Sequence, residues 1–293
     1  MPLSPSLNWY RVKRIRHRLF FLVLFFGVPF PESGWAQQSA DNSEAVASAA
    51  SDPDTAAENR PADEMPPLEE ARRTYLDRIV AQPMSHRGAS WLVRPNRDLE
   101  ENATESLDQL RLIEGMTVCD LGCGNGYWTI PMAKAVAETG QVFAVDIQPE
   151  MLQMLRARAG REHLRNVTPV RGKINDPNLG VNELDLLLMV DVYHEFSHPE
   201  SMLWHIRRAL KPEGVIALLE YREEDRNVPI KPLHKMSKTQ IIKEYKQNHF
   251  KLVREYNKLP WQHLMFFARD DSPLAEISPQ PTSAVLKELH ERN

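Results

Sequence analysis

Ionisable side chains are concentrated in one short segment, Asp191-Val-Tyr-His-Glu-Phe-Ser-His198, which directly follows an unbroken apolar run. The imidazole of His194 is a candidate general base, because the ordinary pKa of histidine is close to neutral pH. Tyr193 is a second candidate catalytic residue, and Asp191 could line the same site. A structural alternative stays open, in which His194 and Glu195 cap the next helix or pair with each other.

A glycine-rich segment, Val118-Cys-Asp-Leu-Gly-Cys-Gly-Asn-Gly-Tyr127, lies between a predicted strand and a predicted helix. Its three glycines are Gly122, Gly124 and Gly126. Glycine lets the backbone turn tightly and approach a ligand closely. The dinucleotide-binding fingerprint G-x-G-x-x-G requires its third glycine where Tyr127 stands, so the spacing disfavours a nicotinamide cofactor. Asp120 precedes the first glycine by two residues and would suit a cationic amino group better than a pyrophosphate.

A further carboxylate ends the predicted strand Val142-Phe-Ala-Val-Asp146. Ligands of open parallel sheets bind at the carboxyl ends of the strands, where an acidic residue can accept hydrogen bonds from both ribose hydroxyls. Asp146 is therefore a candidate nucleotide-binding residue. The alternative is a surface aspartate in the turn before Pro149.

These segments fall within an alternation of strands and helices. Strands are predicted at 117–120, 141–147, 166–170, 184–190 and 215–219, helices at 127–138, 149–159 and 199–210, and a turn at 211–214. A capping box at Ser237-Lys-Thr-Gln240 begins another helix. Strands 251–256 and 263–268 are too close for a helical crossover and should be antiparallel. The predicted fold is α/β and doubly wound (Rossmann-like), a mostly parallel seven-stranded sheet with a C-terminal antiparallel hairpin.

Roughly residues 107–269 resemble the class I S-adenosylmethionine-dependent methyltransferases, whose first motif is similar to Asp120-Leu-Gly-Cys-Gly-Asn-Gly126. The resemblance implies S-adenosylmethionine as the cofactor, with the glycine loop around its methionine and ribose parts. It implies that Asp146 binds the ribose, that Ile147 packs on the adenine, and that Asp176 contacts the adenine. A plain turn residue ahead of Pro177 is the alternative for Asp176.

The resemblance implies methyl transfer to a small-molecule acceptor by in-line displacement. A non-catalytic protein that binds or senses the cofactor on the same scaffold is the alternative. The amino-methylases of DNA and RNA carry an Asn/Asp-Pro-Pro-aromatic signature where this sequence has Asp191-Val-Tyr-His194, and the net charge of −4 gives no basic stripe, so no nucleic-acid partner is expected. Residues 189–199 and 228–235 are similar to a bacterial group of methyltransferase-domain proteins that often carry export signals.

Other residues are candidates for the acceptor side of the site. They are Glu220, Tyr221 and His234, with Arg87, Trp91 and Arg97 from a segment that could form a lid, residues 84–97. Ordinary packing of Trp91 and solvated arginines are the alternative for that segment. His86, His194 and His234 match no known ligand spacing, so no metal site is expected.

The N-terminus has the pattern of a secretory signal. A basic stretch is followed by an apolar run, Leu19 to Phe30, and by Gly34-Trp-Ala36. The run is shorter than the roughly 20 residues of a membrane-spanning helix. A cleaved signal is favoured over an uncleaved anchor that would associate with a membrane, and an incidental apolar segment is the third interpretation.

The predicted organisation is a targeting segment at 1–36, a disordered linker at 37–67, a helical lead-in or lid at 68–106, the methyltransferase domain at 107–270 and a polar tail at 271–293. The chain is expected to be exported or membrane-tethered, and cytoplasmic if the first segment is not a working signal. Export would separate the protein from S-adenosylmethionine, which is made in the cytosol.

Overall fold

The computed structural model describes residues 60–67 and 70–291. The predicted targeting segment and most of the predicted linker lie outside the described residues. Among the residues described, no helix is long and apolar enough to cross a membrane.

A seven-stranded sheet forms the centre of the domain. The strands of the described residues are β1 (Thr74–Tyr75), β2 (Arg78–Ile79), β3 (Thr117–Leu121), β4 (Gln141–Asp146), β5 (Val167–Arg171), β6 (Leu184–Val190), β7 (Leu210–Tyr221), β8 (Phe250–Tyr256) and β9 (Gln262–Arg269). The central sheet has the order β5-β4-β3-β6-β7-β9-β8, and β9 pairs antiparallel with both of its neighbours. The other pairs are parallel, so the predicted fold is confirmed.

Helices cover the sheet. They are α1 (Arg97–Glu101), α2 (Ala103–Gln109), α3 (Thr129–Val136), α4 (Pro149–Arg161), α5 (Pro199–Ala209), α6 (Lys238–Gln247) and α7 (Thr282–Glu291), with 3-10 helices at His86–Val93, Tyr193–Glu195 and Pro232–His234. Successive residues of β6 enter different apolar clusters: Leu187 joins the cluster of α5 and α6, and Leu188 joins that of α2 and α3. A strand buried on both faces explains the unbroken apolar run in the sequence.

The predicted helical lead-in is wrong for its first part. Residues 74–79 form a short antiparallel hairpin, β1 and β2, in which Leu76 and Asp77 have positive φ angles. Tertiary contacts decide this conformation: Asn248 donates to the hydroxyl of buried Tyr75 at 2.7 Å, and Arg78 donates to Glu244 at 2.7 Å. Local apolar spacing carries no information about such contacts. The helical prediction holds farther along, in α1 and α2.

The predicted turn at 211–214 is taken up into β7. The ladder between β6 and β7 runs from the pair Leu184–Leu210 to the pair Leu186–Val215, so the extra residues form an irregularity within the strand. Such a bulge accommodates residues that have no partner on the neighbouring strand.

The C-terminal segment folds back on the domain. Ile277 donates its backbone N–H to Leu252 in β8, and Lys238 donates to the carbonyl of Gln280. The apolar side chains of Val285 and Leu289 in α7 are buried. The tail at 271–293, predicted as polar, thus contains a helix, and the apolar face of that helix explains why the tail packs on the domain.

Candidate functional site

A cavity of about 980 Å³ lies at the carboxyl ends of the parallel strands β3, β4 and β6. This is the edge where ligands of doubly wound sheets bind. Among the residues that line it are Gly122, Gly124, Asp146, Ile147, Asp191 and His194, all expected from the sequence. Its volume is within the range of cofactor and small-molecule sites.

The glycine loop forms one wall of this cavity. Gly122 has φ +76° and Gly124 has φ +51°, a region that disfavours other residues. A Cβ atom on Gly122 would lie 2.6 Å from Val192 Cγ2, and one on Gly124 would lie 2.6 Å from Leu92 Cδ1. Gly126 has φ +83° but lies behind the cavity, where a Cβ atom would collide with Leu155 of α4. Its role is therefore the packing of the loop on the helix.

Asp146 faces the cavity with a carboxylate that the backbone holds in place. Its Oδ2 accepts from the N–H of Gly124 at 2.9 Å, and its Oδ1 accepts from the N–H of Gln148 at 2.8 Å. Burial raises the pKa of Asp146, and these backbone N–H groups oppose the rise. A carboxylate has about four acceptor positions, so two remain for ligand hydroxyls. Ile147 lines the cavity directly beside it.

Asp120 and Asp176 are outside the cavity lining, which corrects two sequence-based predictions. Strand alternation turns Asp120 toward α3, where the hydroxyl of Thr129 donates to it at 2.5 Å and burial raises its pKa to about 6. Asp176 accepts from the backbone N–H of Asn178 at 2.8 Å in a turn beyond β5. From that segment it is Lys173 and Ile174 that line the cavity.

Asp191 lies at the cavity wall with φ +52°. The amide of Gln262 in β9 donates to both of its carboxylate oxygens at 2.9 Å. Burial raises the pKa of Asp191 well above its ordinary value, and the nearby charge of Glu101 adds to the rise. A buried carboxylate at this place would favour a cationic ligand group.

Tyr193 does not reach the cavity, so its predicted catalytic role is corrected. Its ring packs against Phe196 and Tyr245, with centroids 5.3 Å and 5.1 Å away. Its hydroxyl has no hydrogen-bond partner among the described residues, and burial raises its pKa well above the ordinary value. The 3-10 turn that follows Asp191 directs the tyrosine into the core and the next residue, His194, toward the cavity.

His194 is held between two partners. Its Nδ1 lies 2.7 Å from Oε2 of Glu220, and its Nε2 lies 3.0 Å from Nδ1 of His234. Burial opposes the charged imidazole, but the charge and hydrogen bond of Glu220 outweigh it and raise the pKa of His194. Burial and the neighbouring His194 lower the pKa of His234. The two rings therefore differ in basicity although they are in contact.

Glu195 stands beside this pair, at a distance of 4.0 Å between its Oε1 and Nε2 of His194. Its Oε1 accepts from the backbone N–H of Met84 at 3.2 Å. Burial raises the pKa of Glu195 to about 7. The sequence indicated that His194 and Glu195 could pair and placed His234 on the acceptor side of the site, but it did not indicate that the two histidine rings would be in contact.

The sequence predicted only some of the residues that form an ionic network at the cavity wall. Arg94 and Arg97 line the cavity, and both form ion pairs with Glu101, which has no solvent exposure. The hydroxyl of Tyr221 donates to Glu101 at 2.7 Å. Arg97 and Tyr221 were candidates from the sequence, whereas Glu101 was missed. The i,i+4 spacing of Arg97 and Glu101 on α1 was the available sign.

The proposed lid segment, 84–97, contributes to the cavity wall. Trp91 and Leu92 line the cavity, and Asn125 in the glycine loop donates to the carbonyl of Ala89 at 2.9 Å. Arg87 is not among the lining residues. His86 lies 3.8 Å from Glu150 at the start of α4. Among the described residues, His194, Glu195 and His234 form a group that could hold a metal ion.

Comparison with known proteins assigns the family. Residues 112–266, just over half of the chain, match the family model of a methyltransferase domain, and the chain belongs to that family. A solved S-adenosylmethionine-dependent methyltransferase from Aquifex aeolicus is 25% identical and superposes with a TM-score of 0.59, covering 63% of this chain and 98% of the other. Family membership and this neighbour together imply S-adenosylmethionine as the cofactor.

Curated relatives differ in what they methylate. A demethylmenaquinone methyltransferase from Staphylococcus saprophyticus is 29% identical over 39% of this chain and 48% of its own length. A protein-L-isoaspartate O-methyltransferase from Methanococcoides burtonii is 30% identical over 38% of this chain and 52% of its own length. The chain spans about half the length of these relatives.

Proposed function

We propose that this protein transfers the methyl group of S-adenosylmethionine to a proton-bearing nucleophile, a hydroxyl on a planar ring of a small molecule. The observation that carries the proposal is the contact between His194 and Glu220, because it places a polarised imidazole in the wall of the cofactor cavity. A proton acceptor is of use when the nucleophile must lose a proton as it reacts.

The residues at the strand ends fit the cofactor. Asp146 has free acceptor positions for the ribose hydroxyls, and the glycine loop contributes Gly122 and Gly124 to the cavity wall. Asp191, buried and held by Gln262, suits the ammonium group of the methionine part. When bound, the cofactor supplies a sulfonium methyl group, which is a strong electrophile.

The remaining walls suit an apolar, planar acceptor. Apolar and aromatic side chains line the cavity, among them Val80, Met84, Trp91, Phe196, Met202 and Ile230. Such a surface binds rings by burial, while a few polar groups orient them. The name of the Staphylococcus saprophyticus relative indicates a quinone-type acceptor for that protein, and this supports a ring-shaped acceptor here without indicating which atom of the ring receives the methyl group.

The two histidines handle the proton of the acceptor. A hydroxyl proton taken up by the ring of His234 is relayed when its Nδ1–H passes to Nε2 of His194, 3.0 Å away. The imidazolium of His194 is then stabilised by Glu220 through Nδ1. The cavity walls would meanwhile hold the nucleophile close to the methyl carbon, and such positioning supplies much of the rate of a displacement.

The test is turnover with labelled methyl groups. Purified full-length chain and a panel of hydroquinones and phenols are incubated with methyl-labelled S-adenosylmethionine, and label in the acceptor is counted. We expect transfer that His194→Asn lowers at least a hundredfold and that His205→Asn leaves unchanged, because His205 is a half-buried residue of α5 that does not line the cavity. Transfer that is equal in the His194 variant would refute the proton-acceptor role, and cofactor binding without transfer to any acceptor would favour a non-catalytic binding protein.

A further inference from the structure

We propose that His194, His234 and Glu195 form a binding site for a divalent transition-metal ion at the acceptor end of the cavity. The site follows from geometry, and its use in catalysis rests on the function proposed above. With an ion in place the two histidines act as ligands, and the ion takes over the task of lowering the pKa of the acceptor hydroxyl.

The donor atoms are already close together. One ring nitrogen of each histidine and one carboxylate oxygen of Glu195 lie within 4.8 Å of one another. The two nitrogens, Nε2 of His194 and Nδ1 of His234, are 3.0 Å apart. Two metal–nitrogen bonds of about 2.1 Å that span this distance subtend an angle of about 90°, which is the angle between neighbouring ligands of an octahedral ion.

Glu195 completes one face of such an octahedron. Its Oε1 is 4.0 Å from Nε2 of His194, so a side-chain adjustment of about 1 Å brings it to the spacing of neighbouring ligands. Two histidines and one carboxylate on one face are the donor set of the facial triad, which leaves the opposite positions open. All three residues line the cavity, so the open positions face the space for the acceptor.

The surroundings of His194 are those of a metal ligand. Its Nδ1 is bound at 2.7 Å to Glu220, which has no solvent exposure and also accepts from the backbone N–H of His194 at 3.2 Å. A carboxylate behind a histidine fixes the ring so that Nε2 points to the ion, and it increases the basicity of the ligand. The backbone N–H of Met84 orients Glu195 in the same way.

The types of donor atom select the class of ion. Nitrogen and oxygen donors suit Mn²⁺, Fe²⁺, Co²⁺ and Zn²⁺, and they disfavour soft ions that need thiolate ligands.

The ion would act as a Lewis acid. It polarises the hydroxyl of the acceptor, which releases its proton to solvent, as an ion in an open site lowers the pKa of a water ligand. The acceptor oxygen forms its new bond to the methyl carbon while the carbon–sulfur bond breaks and the sulfur keeps the electron pair. No oxidant or reductant takes part, and the charge and atoms of the step balance.

The experiment measures metal binding directly. The full-length chain is treated with EDTA, dialysed, and titrated with Co²⁺, whose visible absorption reports its ligands, and with Zn²⁺ in competition. We expect one ion per chain, with the affinity lowered at least tenfold by His234→Ala, by Glu195→Gln and by the second-sphere change Glu220→Gln. His205→Ala, a histidine of α5 away from the cavity, is the matched control and should bind as the unchanged chain does.

Binding of S-adenosylmethionine, measured on the same samples, separates this proposal from the preceding one. A chain that binds the cofactor but shows no Co²⁺ or Zn²⁺ binding overturns the metal site and leaves the proposed function standing. Metal binding that is equal in the His234, Glu195 and control variants places the ion elsewhere and also overturns the site. Metal binding with loss of cofactor binding would instead refute the proposed function.

Discussion

The Nδ1 atom of His194 lies 2.7 Å from Oε2 of Glu220, although the two residues come from different elements, the 3-10 turn after β6 and the end of β7. Both side chains are buried. Because β6 and β7 are parallel neighbours, their carboxyl ends meet and bring the carboxylate behind the imidazole. This contact orients His194, a buried histidine that lines the cavity.

Replacing the carboxylate tests that orientation. Glu220→Gln keeps the shape of the side chain but removes the charge, so we expect turnover to fall by about ten- to a hundredfold, as for other second-sphere partners of a functional histidine. Affinity for S-adenosylmethionine should stay within twofold, because Glu220 does not line the cavity. Steady-state kinetics and calorimetry on the same preparation measure both, and unchanged turnover would show that the contact is only structural.

The glycine loop offers a paired test of backbone conformation. Gly122→Ala places a Cβ atom 2.6 Å from Val192 at a φ of +76°, so we expect a stability loss of about 1–3 kcal/mol and much weaker cofactor binding. Gly160→Ala is the control, because a Cβ atom there meets nothing within 4 Å and the residue lies in α4. That change should stabilise by about 0.5–1 kcal/mol. Urea unfolding measures both, and equal effects would contradict the account of the loop.

Tyr193→Phe tests whether the hydroxyl of Tyr193 takes part in catalysis. The hydroxyl is buried, has no hydrogen-bond partner among the described residues and does not reach the cavity, so its removal should leave turnover within twofold. Stability should hold or rise slightly, because an unsatisfied buried polar group costs free energy. A hundredfold loss of turnover with the fold intact would return Tyr193 to the catalytic residues.

Stability should depend on pH through Glu224. Burial alone would raise the pKa of Glu224, but hydrogen bonds from His263 at 3.0 Å and from the backbone N–H of Lys238 at 2.8 Å outweigh burial and lower the pKa to about 2. The stabilisation is therefore complete above the ordinary pKa of 4.5 and is lost as the pH falls toward 2.

Glu224→Gln should accordingly destabilise the fold by about 1–3 kcal/mol at pH 7, with a smaller difference at pH 3. Urea unfolding at the two pH values measures the effect. Glu223→Gln, the exposed neighbour, is the control and should change stability little at either pH. An equal loss of stability from Glu224→Gln at pH 7 and at pH 3 would mean that the charge of Glu224 does not contribute to the stability of the fold.

The sequence predicted what depends on local pattern and strand order. The glycine loop and Asp146 were found because a motif and a strand end identify them without knowledge of the packing. Asp120 was predicted to contact the cofactor, but its side chain lies on the face of β3 that packs against α3. The motif does not reveal which face of the strand carries each residue. Tyr193 was assigned to the site because nothing in the sequence shows that Asp191 takes a positive φ and changes the direction of the chain.

Contacts between distant segments could not be predicted from one sequence. His234 reaches His194 from the 3-10 helix at Pro232–His234, and the hairpin β1–β2 is held by α6, more than a hundred residues away. Both arrangements depend on tertiary packing, which overrides local propensity and leaves no periodic pattern. The metal-binding group is therefore an inference that only the structure provides.

Calorimetric titration of S-adenosylmethionine into the full-length chain tests the central claim most directly. We predict micromolar binding that Asp146→Ala abolishes and that Asp176→Ala leaves unchanged, because the first carboxylate lines the cavity and the second, beyond the next strand, does not. Equal binding by the chain and both variants would contradict the assignment of Asp146, and no binding by a folded chain would contradict the assignment of the cavity as the cofactor site.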